Sequence, residues 1–203
     1  MMNALKISDS APDADMASAP HARPLTARQA ALKPRLTAAN INEKSFLATD
    51  YLNHFNEVVM LLEMVPDMLD MLEDCADWTP KTYQKHFADS GFADKALAIE
   101  AYENAPEPSR TLFDDLTQRL NTLILDAVAD ITALVDDREA LSYRLEAYLS
   151  DMRALLSALN GVIHGKTHMD EDLNHMSSAI SEKDPSTDTT EAASQADIDA
   201  LFD

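Results

Sequence analysis

Apolar positions recur three and four residues apart through most of the chain. The signal is strongest over residues 43–76, where Phe46, Leu47, Tyr51, Leu52, Phe55, Val58, Val59, Leu62, Val65 and Leu69 form the stripe of an amphipathic helix. Pro66 lies inside this run and has no amide hydrogen to donate, which predicts a kink or break there. Ahead of it, residues 25–38 read as a short helix interrupted by Pro34, with Asn40 or Asn42 placed to cap the next helix. Residues 1–23 are rich in Ala, Ser, Asp and Pro with no periodic apolar face, and are expected to be disordered.

Thr79-Pro80 reads as an N-cap followed by proline at the first helical position, opening a short helix that ends near Asp89. Ser90-Gly91-Phe92 is a turn, and residues 93–104 form another short helix ended by Pro106 and Pro108. Ser109 is the expected cap of a long helix to about Val135, with Leu112, Leu116, Leu120, Leu123, Val128, Ile131 and Leu134 on its apolar face. Asp136-Asp137 is a tight connection to a second long helix carrying Leu141, Leu145, Tyr148, Met152, Leu155, Leu159 and Val162, which stops near Gly165. Two long helices joined so closely must pack antiparallel. The expected fold is all-α, a helical bundle built round a long antiparallel hairpin. It divides into a tail (1–23), a bundle domain (24–168), a flexible acidic linker (169–193) and a terminal peptide helix (194–203).

Composition narrows the function classes. The chain has 203 residues, of which only 3 are Gly, which disfavours a β-rich or Gly-loop protein. The 36 acidic residues against 16 basic ones leave a net charge of −20. That balance argues against nucleic acid and anionic membranes as partners and suits a basic patch on another protein. Cys75 is the single cysteine, so no internal disulfide forms, and it reads as a small buried hydrophobe. No signal-peptide h-region and no apolar run of ~20 residues is present. The expected location is cytoplasmic, without membrane insertion.

The most informative stretch is the last ten residues. Ser194 and Asp197 fit a helix-start box, and Ile198, Leu201 and Phe202 then share one face of about two turns. Asp197 and Asp199 sit near the positive end of that helix. So short a helix is marginal alone. After a linker, its apolar triad is suited to a groove on a partner, with its acids meeting a basic rim.

The pattern Ser194-Gln195-x-x-Ile198-Asp199-x-Leu201-Phe202 resembles the response-regulator-binding peptide of the chemotaxis phosphatase CheZ and of the flagellar switch protein FliM. The order of hairpin, linker and terminal peptide is also similar to that of the CheZ family. The resemblance implies a CheY-like response regulator as partner, a role in chemotaxis or flagellar motility, and a homodimer formed by pairing of hairpins. It leaves most of the bundle, including the aromatic-rich 79–105 segment, without a counterpart.

CheZ-type phosphatases use an Asp and a Gln four residues apart on a long helix. The Gln orients the water that attacks the phospho-aspartate, and the Asp holds a lysine of the partner, which also carries its own Mg²⁺. The resemblance therefore implies no cofactor on this chain. Asp114 and Gln118 have that spacing and share one helix face, about 200° from the Leu112/Leu116/Leu120 stripe and expected in solvent. The family pattern resembles Asp-Leu-Thr-Gly-Gln, and this chain lacks the Gly. Matching on Asp115-Leu116-Thr117 instead puts Arg119 at the glutamine position.

His164, His168, Asp172 and His175 form a cluster in which His164 and His168 have the i, i+4 ligand spacing of a zinc or copper site, but Gly165 falls between those two, and a polar helix end running into linker is the expected reading. Met60, Met64, Met68 and Met71 are expected as adaptable core. Trp78, Tyr83, Phe87 and Phe92 are expected to seal one end of the bundle. The competing function is a non-enzymatic structural helical protein whose tail docks on itself or on another subunit.

Overall fold

The computed structural model describes residues 24–167, and all of its regular structure there is helical. The fold is an all-α bundle. Helix α1 (Ala27–Leu36) opens with a capping box in which Thr26 accepts from the Gln29 amide and Gln29 accepts from the Thr26 amide. Pro34 does not interrupt it as expected. One lost amide bond is outweighed by the burial of Leu32 and Leu36 on either side of it.

The expected helix across 43–76 is divided. Asn40 ends a 3-10 turn (Thr37–Ala39) in the left-handed conformation, and Asn42 does not cap a helix. Its side chain accepts from the amides of Lys44 and Ser45, closing a side-chain turn. Phe46 then takes φ 65° with its ring fully buried. Ser45 donates to the last-turn carbonyl of Ile163 and is itself buried. The loop is therefore clamped to the end of a distant helix, which the helical period of its apolar residues did not reveal. Regular helix starts after a 3-10 turn (Thr49–Leu52) with α2 (Asn53–Met64). Pro66 breaks it from α3 (Met71–Asp77), as its missing amide predicts.

Helix α4 (Tyr83–Asp89) is capped by Thr82, whose hydroxyl accepts from the Lys85 amide at 3.2 Å. Thr79-Pro80 is thus not its start. The chain stays extended to Lys81 because Lys81 is held from both sides: its amide donates to His54 Nε2 at 3.2 Å and its carbonyl accepts from Tyr51 Oη at 2.7 Å. Helix α5 (Lys95–Glu103) follows.

The long helix α6 (Glu107–Ala133) begins two residues before the expected cap. Proline is tolerated in a first turn, so Pro108 extends the helix and Ser109 is buried inside it. Asp137 caps α7 (Arg138–Ile163) by accepting from the Ala140 amide at 3.0 Å. Helices α6 and α7 make the most extensive contact in the fold and run antiparallel through the 134–137 connection. Tyr148 Oη donates to Asp130 across them at 2.5 Å. Helix α7 ends with Gly165 at φ 96°, and the Lys166 and Gly165 amides return to the carbonyls of Gly161 and Val162. This is a Schellman stop, which only Gly adopts without strain.

Leu116, Leu120, Leu123 and Ile131 of α6 face Leu141, Leu145, Met152, Leu155 and Leu159 of α7 in one core, to which α2 adds Phe55, Val58 and Leu62. Met60, Met64 and Met68 lie outside it, with 61%, 38% and 42% of their surface exposed. Their expected place in the core is corrected by the break at Pro66 and by the register of α2, which turns Val58, Val59 and Leu62 inward. No helix among the described residues is long and apolar enough to cross a membrane.

Candidate functional site

The sequence singles out Asp114 and Gln118, and the structure brings them together at a cleft of about 260 Å³ on the N-terminal half of α6. Its other walls are the Pro80–Gln84 segment leading into α4, Tyr102 of α5, and Tyr51. Both side chains are exposed to solvent, as expected, and both line this cleft. Gln118 is open to solvent. Asp114 sits at the rim, where its Oδ1 accepts from Tyr102 Oη at 2.8 Å. The surrounding protein raises the Asp114 pKa, opposed by the Tyr102 hydrogen bond and by the nearby Arg110 charge.

Further along the same side of α6, Thr117 and Asn121 also line the cleft. Thr117 Oγ1 and Asn121 Oδ1 are out of reach of solvent and find no hydrogen-bond partner among the described residues. Positions 114, 117, 118 and 121 follow the i, i+3, i+4, i+7 spacing of a single helix face. That polar row was the available sequence signal for Thr117 and Asn121. Tyr102 carried none, since only packing of α5 against α6 brings it to Asp114.

Aromatic rings hold the cleft in shape. Tyr83 stacks on Tyr102 at 4.7 Å, and Tyr51 packs on Phe113 at 5.5 Å. Tyr83 Oη accepts from the Ala48 amide at 2.9 Å. Burial pushes the Tyr102 phenol up to about 12, assisted by the Asp114 carboxylate, so it remains a donor at neutral pH.

Behind this wall, His54 is buried and stacked on Trp78 at 4.9 Å. Its Nε2 accepts from Lys81, so the ring is neutral with its proton on Nδ1. Burial, then the charges of Lys81 and His86, lower its pKa to about 4. Trp78 Nε1 donates to the His54 carbonyl at 3.0 Å, and Phe87 packs on Phe92 at 5.2 Å. These contacts pack the aromatic residues of the segment against one another and against α2. Cys75 is buried, and desolvation followed by the Asp74 charge raises its thiol to about 11, which removes it as a thiolate nucleophile.

Asp115, the alternative start of the phosphatase-like match, pairs with Arg119 at 3.9 Å. His164 ends α7, with Nδ1 2.8 Å from the Asn160 carbonyl. His168, Asp172 and His175 lie outside the described residues, as do the linker and the peptide Ser194, Gln195, Asp197, Ile198, Asp199, Leu201 and Phe202. No group of three or more His, Cys, Asp or Glu suited to a metal occurs among the described residues. A second, open depression of about 470 Å³ lies between α1 and the end of α7. Its Asn42 and Glu43 side chains are already engaged by Lys44, Ser45 and Thr37.

No protein-family model, no curated protein and no solved structure matches this chain.

Proposed function

We propose that this is a cytoplasmic, chemotaxis- or motility-linked protein that binds a CheY-like response regulator through its C-terminal peptide. The observation that carries the proposal is the Ser194-Gln195-x-x-Ile198-Asp199-x-Leu201-Phe202 pattern at the end of an acidic linker. Ile198, Leu201 and Phe202 enter a groove on the receiver, and Asp197 and Asp199 meet its basic rim. About 24 linker residues have a root-mean-square span of roughly 25–30 Å, which holds a captured receiver near the bundle at roughly millimolar local concentration.

Stimulated dephosphorylation of the captured receiver is the catalytic form of this proposal. The accessibility of Gln118 and its place beside Asp114 on α6 support it. Gln118 would orient the attacking water, a positioning role that needs no metal from this chain. Pairing of hairpins into a homodimer belongs to the same proposal and is supported by the exposure of Leu125 on α6 and Tyr143 on α7.

A labelled 190–203 peptide titrated with a CheY-type receiver, with and without a phosphoryl mimic, tests the binding. The expected result is binding that strengthens with the mimic and disappears on Phe202→Ala. No binding up to high micromolar concentration rejects the signalling role.

A second function is favoured by the exposed Met60, Met64 and Met68, an adaptable apolar surface on which the tail of a purely structural protein would dock. Deleting 194–203 separates the two: the melting temperature stays unchanged for a receiver-binding tail and falls for a self-docking one.

A further inference from the structure

The open depression of about 470 Å³ between α1 and the end of α7 is lined by Lys33, half-buried, and Lys44, exposed. Neither ammonium group makes a hydrogen bond or an ion pair among the described residues, and neither do the side chains of Asn40 and Thr49, which also line it. Arg28 and Arg35, on the same helix as Lys33, both reach Glu100 instead. The one acid of the lining, Glu43, accepts from the Thr37 hydroxyl. The wall thus presents donors and positive charge that nothing described on the chain uses.

Lysines near a helix end commonly donate to its last carbonyls. Here those carbonyls have other donors. The Ile41 amide bonds Leu36 at the end of α1, the Ser45 hydroxyl bonds Ile163, and the Lys166 and Gly165 amides bond Gly161 and Val162. The stem of Lys44 passes so close over Gly165 that an added Cβ there would stand 3.1 Å from it, which sets Lys44 against the end of α7. Ile41, Leu47 and Ile163, all buried, give the lining an apolar part. Concave, partly apolar lining with a few polar groups is the usual make-up of a small-ligand site. We infer that this depression binds a small organic phosphate monoester, its head taken by Lys33 and Lys44 and its apolar body by Ile41, Leu47 and Ile163. A double negative charge matches two separate lysines, and three phosphate oxygens can accept from them and from Asn40 and Thr49. The net charge of −20 repels anions at long range, so binding of one requires a local site. The inference does not depend on the receiver-binding tail.

Titration of the full chain with phenyl phosphate at physiological ionic strength, followed by amide NMR, tests it; inorganic phosphate and benzyl alcohol serve as comparison ligands. The expected result is saturable binding of phenyl phosphate, tighter than that of either comparison ligand, with shift changes centred on 33–49 and 163–165. Lys33→Gln and Lys44→Gln each weaken it about tenfold, and Lys85→Gln, on α4, leaves it unchanged. Absence of saturation overturns the inference, as does equal binding of inorganic phosphate or of benzyl alcohol. An equal loss in Lys85→Gln also overturns it, because it indicates a diffuse effect of charge. Shift changes at 169–193 on Lys44→Gln in the free protein assign the depression to the chain's own acids and reject a phosphate ligand. If a variant melts below the assay temperature, the wild-type shift map decides: changes centred away from 33–49 and 163–165 reject the site. Every arm is read without a receiver, so failure here leaves the peptide experiment to stand or fall by itself.

Discussion

Tyr102 of α5 donates its hydroxyl to Asp114 of α6 at 2.8 Å, and this bond fixes the carboxylate at the mouth of the only cleft that Gln118 shares with it among those described. A neutral donor to a carboxylate stabilises its charged form. Tyr102→Phe removes that donor, so the Asp114 pKa should rise further. Carboxyl-detected NMR titration checks the direction. Because Asp114 stands at an accessible rim, the stability cost should be about 1 kcal/mol or less.

Stability should fall on acidification through His54. Its native pKa of about 4 lies below its ordinary value of 6.5, so between these values the unfolded chain binds more protons than the folded one. The contribution is complete above about pH 6.5 and is lost as pH falls towards 4, by on the order of 2 kcal/mol. His86 is also lowered and acts in the same direction. Asp114 and Asp151 are raised and act in the opposite one. Melting temperatures of wild type and His54→Gln between pH 7 and 4.5 isolate the effect, the variant losing less.

Ser45→Ala should loosen the clamp between the 40–48 loop and the end of α7. The Ser45 hydroxyl donates to the Ile163 carbonyl and accepts from the Leu47 amide, all in buried surroundings. Leaving those groups unpaired costs about 1–3 kcal/mol. Urea denaturation gives the loss, and hydrogen exchange should locate it at 161–166 and the loop.

Phe113→Ala should cost about 3–5 kcal/mol. The ring is buried between Tyr51, Tyr83 and Tyr102, so the variant creates a cavity behind the cleft. A smaller loss would mean that the aromatic cluster repacks. Thermal unfolding followed by circular dichroism measures it.

The hairpin was legible because its causes are local. Asp137 has the short acceptor a helix start needs, Gly165 has the freedom its stop needs, and Leu116, Leu120, Leu141, Leu145 and Leu159 repeat with the helical period. Pro66 ended α2 for an equally local reason, the missing amide. Half of the candidate site was visible too, since Asp114 and Gln118 are related by helix geometry alone.

What the sequence could not supply depended on partners far along the chain. Thr79-Pro80 has the composition of a helix start, yet His54 and Tyr51 hold Lys81 extended and move the start to Tyr83. Phe46 carries the helical period, yet Asn42 and the Ser45–Ile163 bond bend its segment into a loop. Tyr102 is an unremarked aromatic until α5 packs beside α6 and brings its hydroxyl to Asp114. Local amide chemistry and apolar periodicity thus determined where the long helices form and stop. Tertiary packing alone decided which loops displace helix and which distant side chain completes the cleft, because a hydrogen bond across tens of residues leaves no period in the sequence.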